Sequence, residues 1–431
     1  MSIILSFIQL ITIITICLYE YKKKYISIFM WATLLVMFGI PHFLTVIIGD
    51  YLYDDIILYK ASIFVITFNI LYLITKVAMD SIIKSKQVKN STCTDIQNTN
   101  TLNKRDKLMT FIFFALLMST LLVLFWVSQK YFGGITNSSW GKFYTLNKEL
   151  GFNSPVKYAD FIFFAVAGVA LVFKNYRYKY LFIVSTIIII SYSFITSNRI
   201  TILPAFMAVI IPIVFNDKQK LTLKKLFYFS VMAAIVIYSV YMLRLVRFAG
   251  GVSNFFENFD LTKINTMIFE MLLNGDGELG LRNAFYYFIS IDNNFPGFNE
   301  GATYIRLFLI SIPTRFSFGM KPPDFAITMG SAYSNNIGNK DYSMHPTLYG
   351  DVFANLWWIG ILLAVFWAVF TNLINILVNR KNHVVRNMLL VLFGTVFVIV
   401  GRGSVYNGFF LGFEGSIIIG LMYLITRLRV R

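Results

Sequence analysis

The polar stretch from Arg244 to His345 holds the side chains best suited to chemistry, and it lies between long apolar runs. A guanidinium group is always charged and bonds two phosphate oxygens at once, so arginines here suit a pyrophosphate or sugar-phosphate ligand. The first candidates for such binding are Arg199, Arg282 and Arg315. Weaker candidates are Arg244, Arg247, Arg402 and Lys321. The alternative for any one of them is a structural pair with a carboxylate or a phospholipid headgroup.

Two residues are candidates for proton transfer. His345 is one of three histidines, and an imidazole takes up a hydroxyl proton near neutral pH. The alternative is a helix-entry residue bonded to a backbone carbonyl. Glu278 is the second candidate, in a glycine-rich run that brings backbone close to a ligand. Its alternative is a salt bridge to one of the arginines.

The sequence lacks the patterns of common cofactor sites. No pair of acidic residues has the spacing of a divalent metal site, and no glycine-rich phosphate loop is present. The two cysteines, Cys17 and Cys93, form neither a disulfide framework nor a thiolate metal site. We therefore expect no cofactor and no metal.

The composition is that of a membrane protein. Of the 431 residues, 57% are hydrophobic and 14% charged, with a mean hydropathy of +0.67. Soluble domains have about a quarter charged residues. Crossing the hydrocarbon core takes about twenty apolar residues, so the runs predict an all-α polytopic membrane protein with about eleven, or twelve, transmembrane helices. The predicted spans are 2–19, 25–48, 59–77, 108–128, 158–174, 180–196, 200–215, 226–243, 349–378, 388–401 and 405–426.

Loop charges predict the orientation. Lysine and arginine concentrate in the loops on one side, which places those loops in the cytoplasm and the stretch from Arg244 to His345 on the outer face. The net charge of +17 then favours the anionic inner leaflet and gives no support to nucleic-acid binding. Within the outer loop, Thr262–Leu273 and Ala284–Ile291 have the pattern of short amphipathic helices.

Four motifs resemble those of bacterial O-antigen polymerases of the Wzy type. They cover about a quarter of the chain. Gly277-Glu278 stands in the outer loop, and Gly301-Ala302-Thr303-Tyr304 precedes a short apolar run that ends Ile312-Pro313-Thr314-Arg315, followed by Lys321-Pro322. His345-Pro346-Thr347-Leu348-Tyr349-Gly350-Asp351 leads into Asn355 and Trp358-Ile359-Gly360. The Ser197-Asn198-Arg199 hairpin is similar to a turn shared with O-antigen ligases. The sequence departs from the family where Thr314 separates proline from arginine, and in its odd span number.

The resemblance implies a metal-independent, inverting glycosyltransferase of the bacterial inner membrane, with its active site facing the periplasm. Such an enzyme polymerises undecaprenyl-pyrophosphate-linked repeat units into O-antigen, a part of lipopolysaccharide, or a related surface polysaccharide. Its partners would be those lipid-linked glycans, membrane lipids and a chain-length regulator protein. The chain would divide into an N-terminal transmembrane bundle, 1–243, a large periplasmic loop, 244–346, and C-terminal transmembrane helices, 347–431.

Two other functions stay open at this stage. An O-antigen ligase would use the same arginine and histidine chemistry. A lipid-linked oligosaccharide flippase or other transporter would place charges within its spans, near the middle of the membrane. The candidate charges instead gather near the outer ends of the predicted spans, which favours the enzyme.

Overall fold

A computed structural model describes residues 2–48, 53–87, 103–215, 223–250, 252–257, 260–273, 280–294, 302–312, 316–322, 325–336, 343–379 and 382–429. The described chain is helical and contains no strand. Its α-helices are α1 Ser2–Lys23, α2 Ile28–Leu34, α3 Ile40–Ile48, α4 Asp55–Gln87, α5 Lys104–Phe132, α6 Trp140–Leu150, α7 Pro155–Val166, α8 Val169–Asn175, α9 Lys179–Thr196, α10 Leu203–Val214, α11 Leu223–Phe248, α12 Val252–Glu257, α13 Leu261–Leu273, α14 Leu281–Ser290, α15 Ala302–Phe308, α16 Phe325–Tyr333, α17 Thr347–Leu356, α18 Leu363–Val378, α19 His383–Gly401 and α20 Val405–Arg429. A π-helical segment, Leu35–Gly39, joins α2 to α3.

Apolar helices of membrane-spanning length confirm a polytopic helical membrane protein. Within the described ranges, nine stretches are long and apolar enough to cross. They are Ser2–Lys23, Ile28–Ile48, Asp55–Ile82, Lys104–Phe132, Pro155–Asn175, Lys179–Thr196, Thr347–Val378, His383–Gly401 and Val405–Arg427. Helix α10, 12 residues long, reaches only about 18 Å. Helix α11 is helical over 26 residues, and its crossing stays a prediction, as does the total of eleven.

The chain forms two compact units. Unit 1 consists of Met1–Gln97, Gly275–Asn379 and Val396–Phe410, and unit 2 of Asn98–Asn274, Arg380–Thr395 and Leu411–Arg431. The predicted division at residues 243 and 346 concerns membrane topology, and it stays a prediction.

Helices α5, α7 and α9 form the core of unit 2, where α5 packs along both α7 and α9. The rings of Phe163 and Tyr192 stack with centroids 4.0 Å apart. Ser138, in the turn before α6, donates a hydrogen bond to the carbonyl of Ile195. Pro204 lies in the first turn of α10, where its missing N–H costs no hydrogen bond.

Helix α4 is the central helix of unit 1, and it packs against α1, α14 and α18. One face of α4 is polar and buried along most of its length. The residues on this face are Ser62, Asn69, Tyr72, Lys76 and Asp80, each at most 5% exposed. Their spacings of seven, three, four and four residues keep them on one side of a helix. The polar face of α4 therefore points into unit 1.

Helix α17 runs in the direction opposite to α4. Tyr349, in its first turn, donates its hydroxyl to Asn69 over 2.8 Å, and Asn69 is near the middle of the span Asp55–Ile82. One turn later Phe353 packs against Phe64, with ring centroids 5.3 Å apart. Because the contact moves from Asn69 back to Phe64, α17 runs from the middle of the span toward the Asp55 end of α4.

The chain reverses between α17 and α18. Trp357 has a φ of +52°, and a Cβ on Gly360 would lie 2.7 Å from the carbonyl oxygen of Val352, so only glycine fits there. After the reversal Trp358 packs against Phe64 at 5.8 Å. The predicted span 349–378 is one apolar run by length and composition, but its direction along α4 reverses at Trp357.

Candidate functional site

The start of α17 is joined to the turn between α19 and α20. The N–H of Thr347 donates a 3.1 Å hydrogen bond to the carbonyl of Arg402. Met344 likewise donates to Ala326 in α16 over 2.9 Å. His345, half-buried, lies in the segment held by these two bonds. The segment that carries His345 and the turn that carries Arg402 are thus joined through their backbones, and the roles predicted for the two side chains stay predictions.

A second cluster forms around Tyr406, which lies in the first turn of α20. The guanidinium carbon of Arg306 is 4.3 Å from the centroid of the Tyr406 ring, and the ammonium of Lys321 is 5.8 Å from the same centroid. Cations are attracted to the face of an aromatic ring. Arg306, Lys321 and Tyr406 are called the Tyr406 cluster below.

The cations of the Tyr406 cluster are held by backbone carbonyls. Arg306 donates to the carbonyl of Pro322 over 2.9 Å, and Lys321 to that of Ile312 over 2.9 Å. Among the described residues, neither has a carboxylate oxygen within 4.0 Å. The Nε atom of Arg306 is buried without a hydrogen-bond partner, and Lys321 is only 9% exposed. The cluster therefore carries two positive charges that no described acidic side chain neutralises.

Helix α15 places Arg306 through a set of buried polar contacts with α17. The N–H of Thr303 donates to Asn355 over 2.8 Å, and Asn355 donates back to the Thr303 hydroxyl over 3.2 Å. The Thr303 hydroxyl also contacts Asp351 at 3.4 Å.

Arg282 lies on α14, which crosses α17 beside the same region. A Cβ on Gly350 would lie 3.1 Å from the Cβ of Phe285 and 2.7 Å from that of Pro346, so α14 and α17 touch directly. Arg282 is one turn before this crossing and half-buried. The amphipathic pattern predicted for Ala284–Ile291 is present as a helix, but most of it is buried.

A buried histidine holds α14 in place. His42 contacts the Tyr286 hydroxyl through Nδ1 at 2.6 Å and the Ser62 hydroxyl through Nε2 at 2.8 Å. Ser62 donates its proton to the carbonyl of Leu58 over 3.1 Å. In a neutral imidazole Nε2 of His42 is then the donor to Ser62, and Nδ1 accepts from Tyr286. His42 was not among the predicted site residues, because a lone histidine in an apolar run gives no sign of its partners.

The remaining predicted arginines that the structure describes belong to unit 2. Arg199 is half-buried in the turn between α9 and α10. Arg244, on α11, lies over the Phe248 ring at 5.2 Å. Arg247, exposed near the end of α11, lies 3.9 Å from the centroid of the Trp140 ring. Arg247 and Arg244 thus have aromatic partners of their own.

Two predicted site residues, Arg315 and Glu278, lie outside the described residues. Their roles stay predictions. Arg306 and Tyr406 were missed as site residues. Arg306 and Tyr406 lie far apart in the sequence, so no local spacing indicated their contact.

Comparisons with known proteins identified no relative of the chain. No family model, no curated protein and no solved structure matches the chain. The family resemblance therefore rests on the short motifs alone, and its functional content is a proposal.

Proposed function

We propose that the chain polymerises undecaprenyl-pyrophosphate-linked oligosaccharide repeat units into O-antigen or a related surface polysaccharide. The proposal places this glycosyl transfer at the periplasmic face of a bacterial inner membrane. The observation that carries it is the Tyr406 cluster. Two cations without a described carboxylate partner share the Tyr406 ring, and Tyr406 follows by four residues Arg402, whose carbonyl accepts the N–H of Thr347. A pyrophosphate brings the negative charge that such a cluster lacks.

In the proposed reaction, a hydroxyl of the incoming repeat unit attacks the anomeric carbon of the growing glycan. The bond between that carbon and the pyrophosphate oxygen breaks, and the electron pair leaves with the lipid pyrophosphate. His345 takes the hydroxyl proton. Arg306 and Lys321, with Arg282, Arg402 and Arg315, stabilise the charge that grows on the leaving group. Attack from the face opposite the leaving group inverts the anomeric centre.

The test is polymerisation by the purified full-length protein in nanodiscs supplied with undecaprenyl-pyrophosphate-linked repeat units. We expect a ladder of lipid-linked products from the wild type. Lys321→Met and His345→Ala should abolish it, because each removes a group that acts on the reacting atoms. The matched control is Lys263→Met, which removes an exposed lysine of α13 whose partner is Asp260. An unchanged ladder from Lys321→Met would contradict the proposal.

The same assay separates the ligase, which would form product only when lipid A core is added as acceptor. No product with either acceptor would reject both glycosyltransferases.

A second candidate function, a lipid-linked oligosaccharide transporter, gains support from two observations in unit 1. Helix α17 is a half-helix that starts at mid-span, a feature of transporter binding sites. Glu20 and Lys76 form a 3.5 Å ion pair, with both side chains fully buried, inside two spans. Movement of a labelled lipid-linked oligosaccharide across a proteoliposome membrane, without chain growth, would favour this candidate.

A further inference from the structure

We infer that residues 302–312 and 316–322 lie within the hydrocarbon layer of the membrane and form a side entrance to the Tyr406 cluster. A lipid-linked pyrophosphate would reach Arg306 and Lys321 through this entrance without leaving the bilayer. Only the identity of this ligand rests on the proposed function. The location in the membrane is independent of it.

The level of the segment follows from Tyr304. Its ring lies perpendicular to that of Phe366 in α18, with centroids 6.1 Å apart. In sequence, Phe366 lies between Trp358, whose ring contacts Phe64 of α4, and Thr371 of α18, whose hydroxyl contacts Tyr72 of α4. These two positions of α4 flank the middle of the span Asp55–Ile82. Helix α15 is therefore level with part of a span, although it belongs to the loop that was predicted to lie outside the membrane.

The surface of the segment fits lipid and not water. Phe308 is 85% exposed, Phe318 90%, and Phe316 and Met320 63% each. An apolar patch of this kind is unfavourable in water and marks a protein or membrane contact. Since the segment is level with part of the span, acyl chains are the partner that covers these side chains.

The positive charges behind this surface favour an anionic ligand. Positive charges at hydrocarbon depth are costly unless they are paired, and Arg306 and Lys321 have only backbone carbonyls and the Tyr406 ring as described partners. A phosphate carried on a lipid supplies the counter-charge, while its tail stays among the acyl chains. A pyrophosphate has the charge to match two cations, so the lipid-linked ligand that fits is a polyprenyl pyrophosphate.

The location is tested by cysteine labelling in nanodiscs, which expose both faces of the protein. Phe318→Cys and Asn335→Cys are compared in a background with Cys17→Ser and Cys93→Ser. Both positions are exposed in the structure, but only Asn335 should meet water. A membrane-impermeant maleimide should label Asn335→Cys and fail to label Phe318→Cys until the protein is unfolded in detergent. Equal labelling of the two folded variants would overturn the inference.

The ligand is tested with a polarity-sensitive fluorophore attached to Phe318→Cys through a membrane-permeant reagent. Undecaprenyl pyrophosphate in the nanodisc should change its emission. Arg306→Gln and Lys321→Met should each weaken this binding about tenfold, as expected for the loss of one charge-assisted contact. The same change with inorganic pyrophosphate alone would show access from water and contradict a side entrance. So would an equal response to phosphatidylglycerol. Binding without polymerisation would keep the entrance and reject the proposed function.

Discussion

A Cβ atom on Gly403 would lie 2.6 Å from the backbone nitrogen of Thr347. The turn between α19 and α20 and the first residue of α17 are thus packed backbone to backbone. This contact, with the hydrogen bond from Thr347 to Arg402, fixes the start of α17 against the turn between α19 and α20.

Gly403→Ala should destabilise unit 1. The residue has a φ of +99°, and the added methyl group would clash with the backbone, so we expect a loss of about 1–3 kcal/mol in the free energy of unfolding. The measurement is unfolding in mixed micelles followed by circular dichroism. Gly420→Ala, where a Cβ meets nothing within 4 Å, is the control and should not destabilise. Equal stability of the two variants would refute the close packing.

Lys76→Met should be strongly destabilising, because it leaves the fully buried Glu20 carboxylate without its cation. Glu20 also accepts hydrogen bonds from Tyr72 at 2.7 Å and Ser27 at 2.6 Å. Removing one partner of a buried pair costs about 3–5 kcal/mol. The double variant Glu20→Gln/Lys76→Met should recover much of this loss. A double variant no more stable than Lys76→Met would argue against the pair.

His42 should be a neutral imidazole that carries its proton on Nε2. Because the chain has only three histidines, ¹⁵N-labelled histidine gives a spectrum in which each ring can be assigned, and His42→Asn identifies one signal set by its loss. Tyr286→Phe should shift the Nδ1 signal and leave the Nε2 proton in place. A proton on Nδ1 in the wild type would disprove the hydrogen-bond assignment.

Tyr406→Phe should preserve the Tyr406 cluster, and Tyr406→Leu should weaken it, because the ring face and not the hydroxyl holds the cations. Cation–π contacts contribute about 0.5–2 kcal/mol. The measurement is the affinity for undecaprenyl pyrophosphate in nanodiscs. A larger loss from Tyr406→Phe than from Tyr406→Leu would assign the effect to the hydroxyl instead.

Most of the span pattern was predictable, because a run of about twenty apolar residues is typical of a helix that crosses a membrane. The reversal at Trp357 was not predictable from hydropathy, since α17 and α18 are both apolar and continuous in sequence. The close approach of Gly360 to Val352 is visible only in three dimensions.

The candidate site was predictable in part. His345 and Arg402 were selected from residue type and loop position, and the structure brings their segments together. Arg306 was not selected, because no residue near it in the sequence indicates a contact with Tyr406, which lies 100 residues later. The polar face of α4 left a readable signal in its helical spacing, but apolar residues on the other faces dominate any average over the helix.

The full enclosure of α17 has a consequence for biogenesis. Nine of its ten residues are buried, so neither lipid nor water solvates it, and its first hydrogen bond needs the carbonyl of Arg402. Until the α19–α20 hairpin has emerged from the ribosome, the carbonyl of Arg402 is not available and α17 cannot be enclosed. Assembly of unit 1 is therefore completed only late in synthesis.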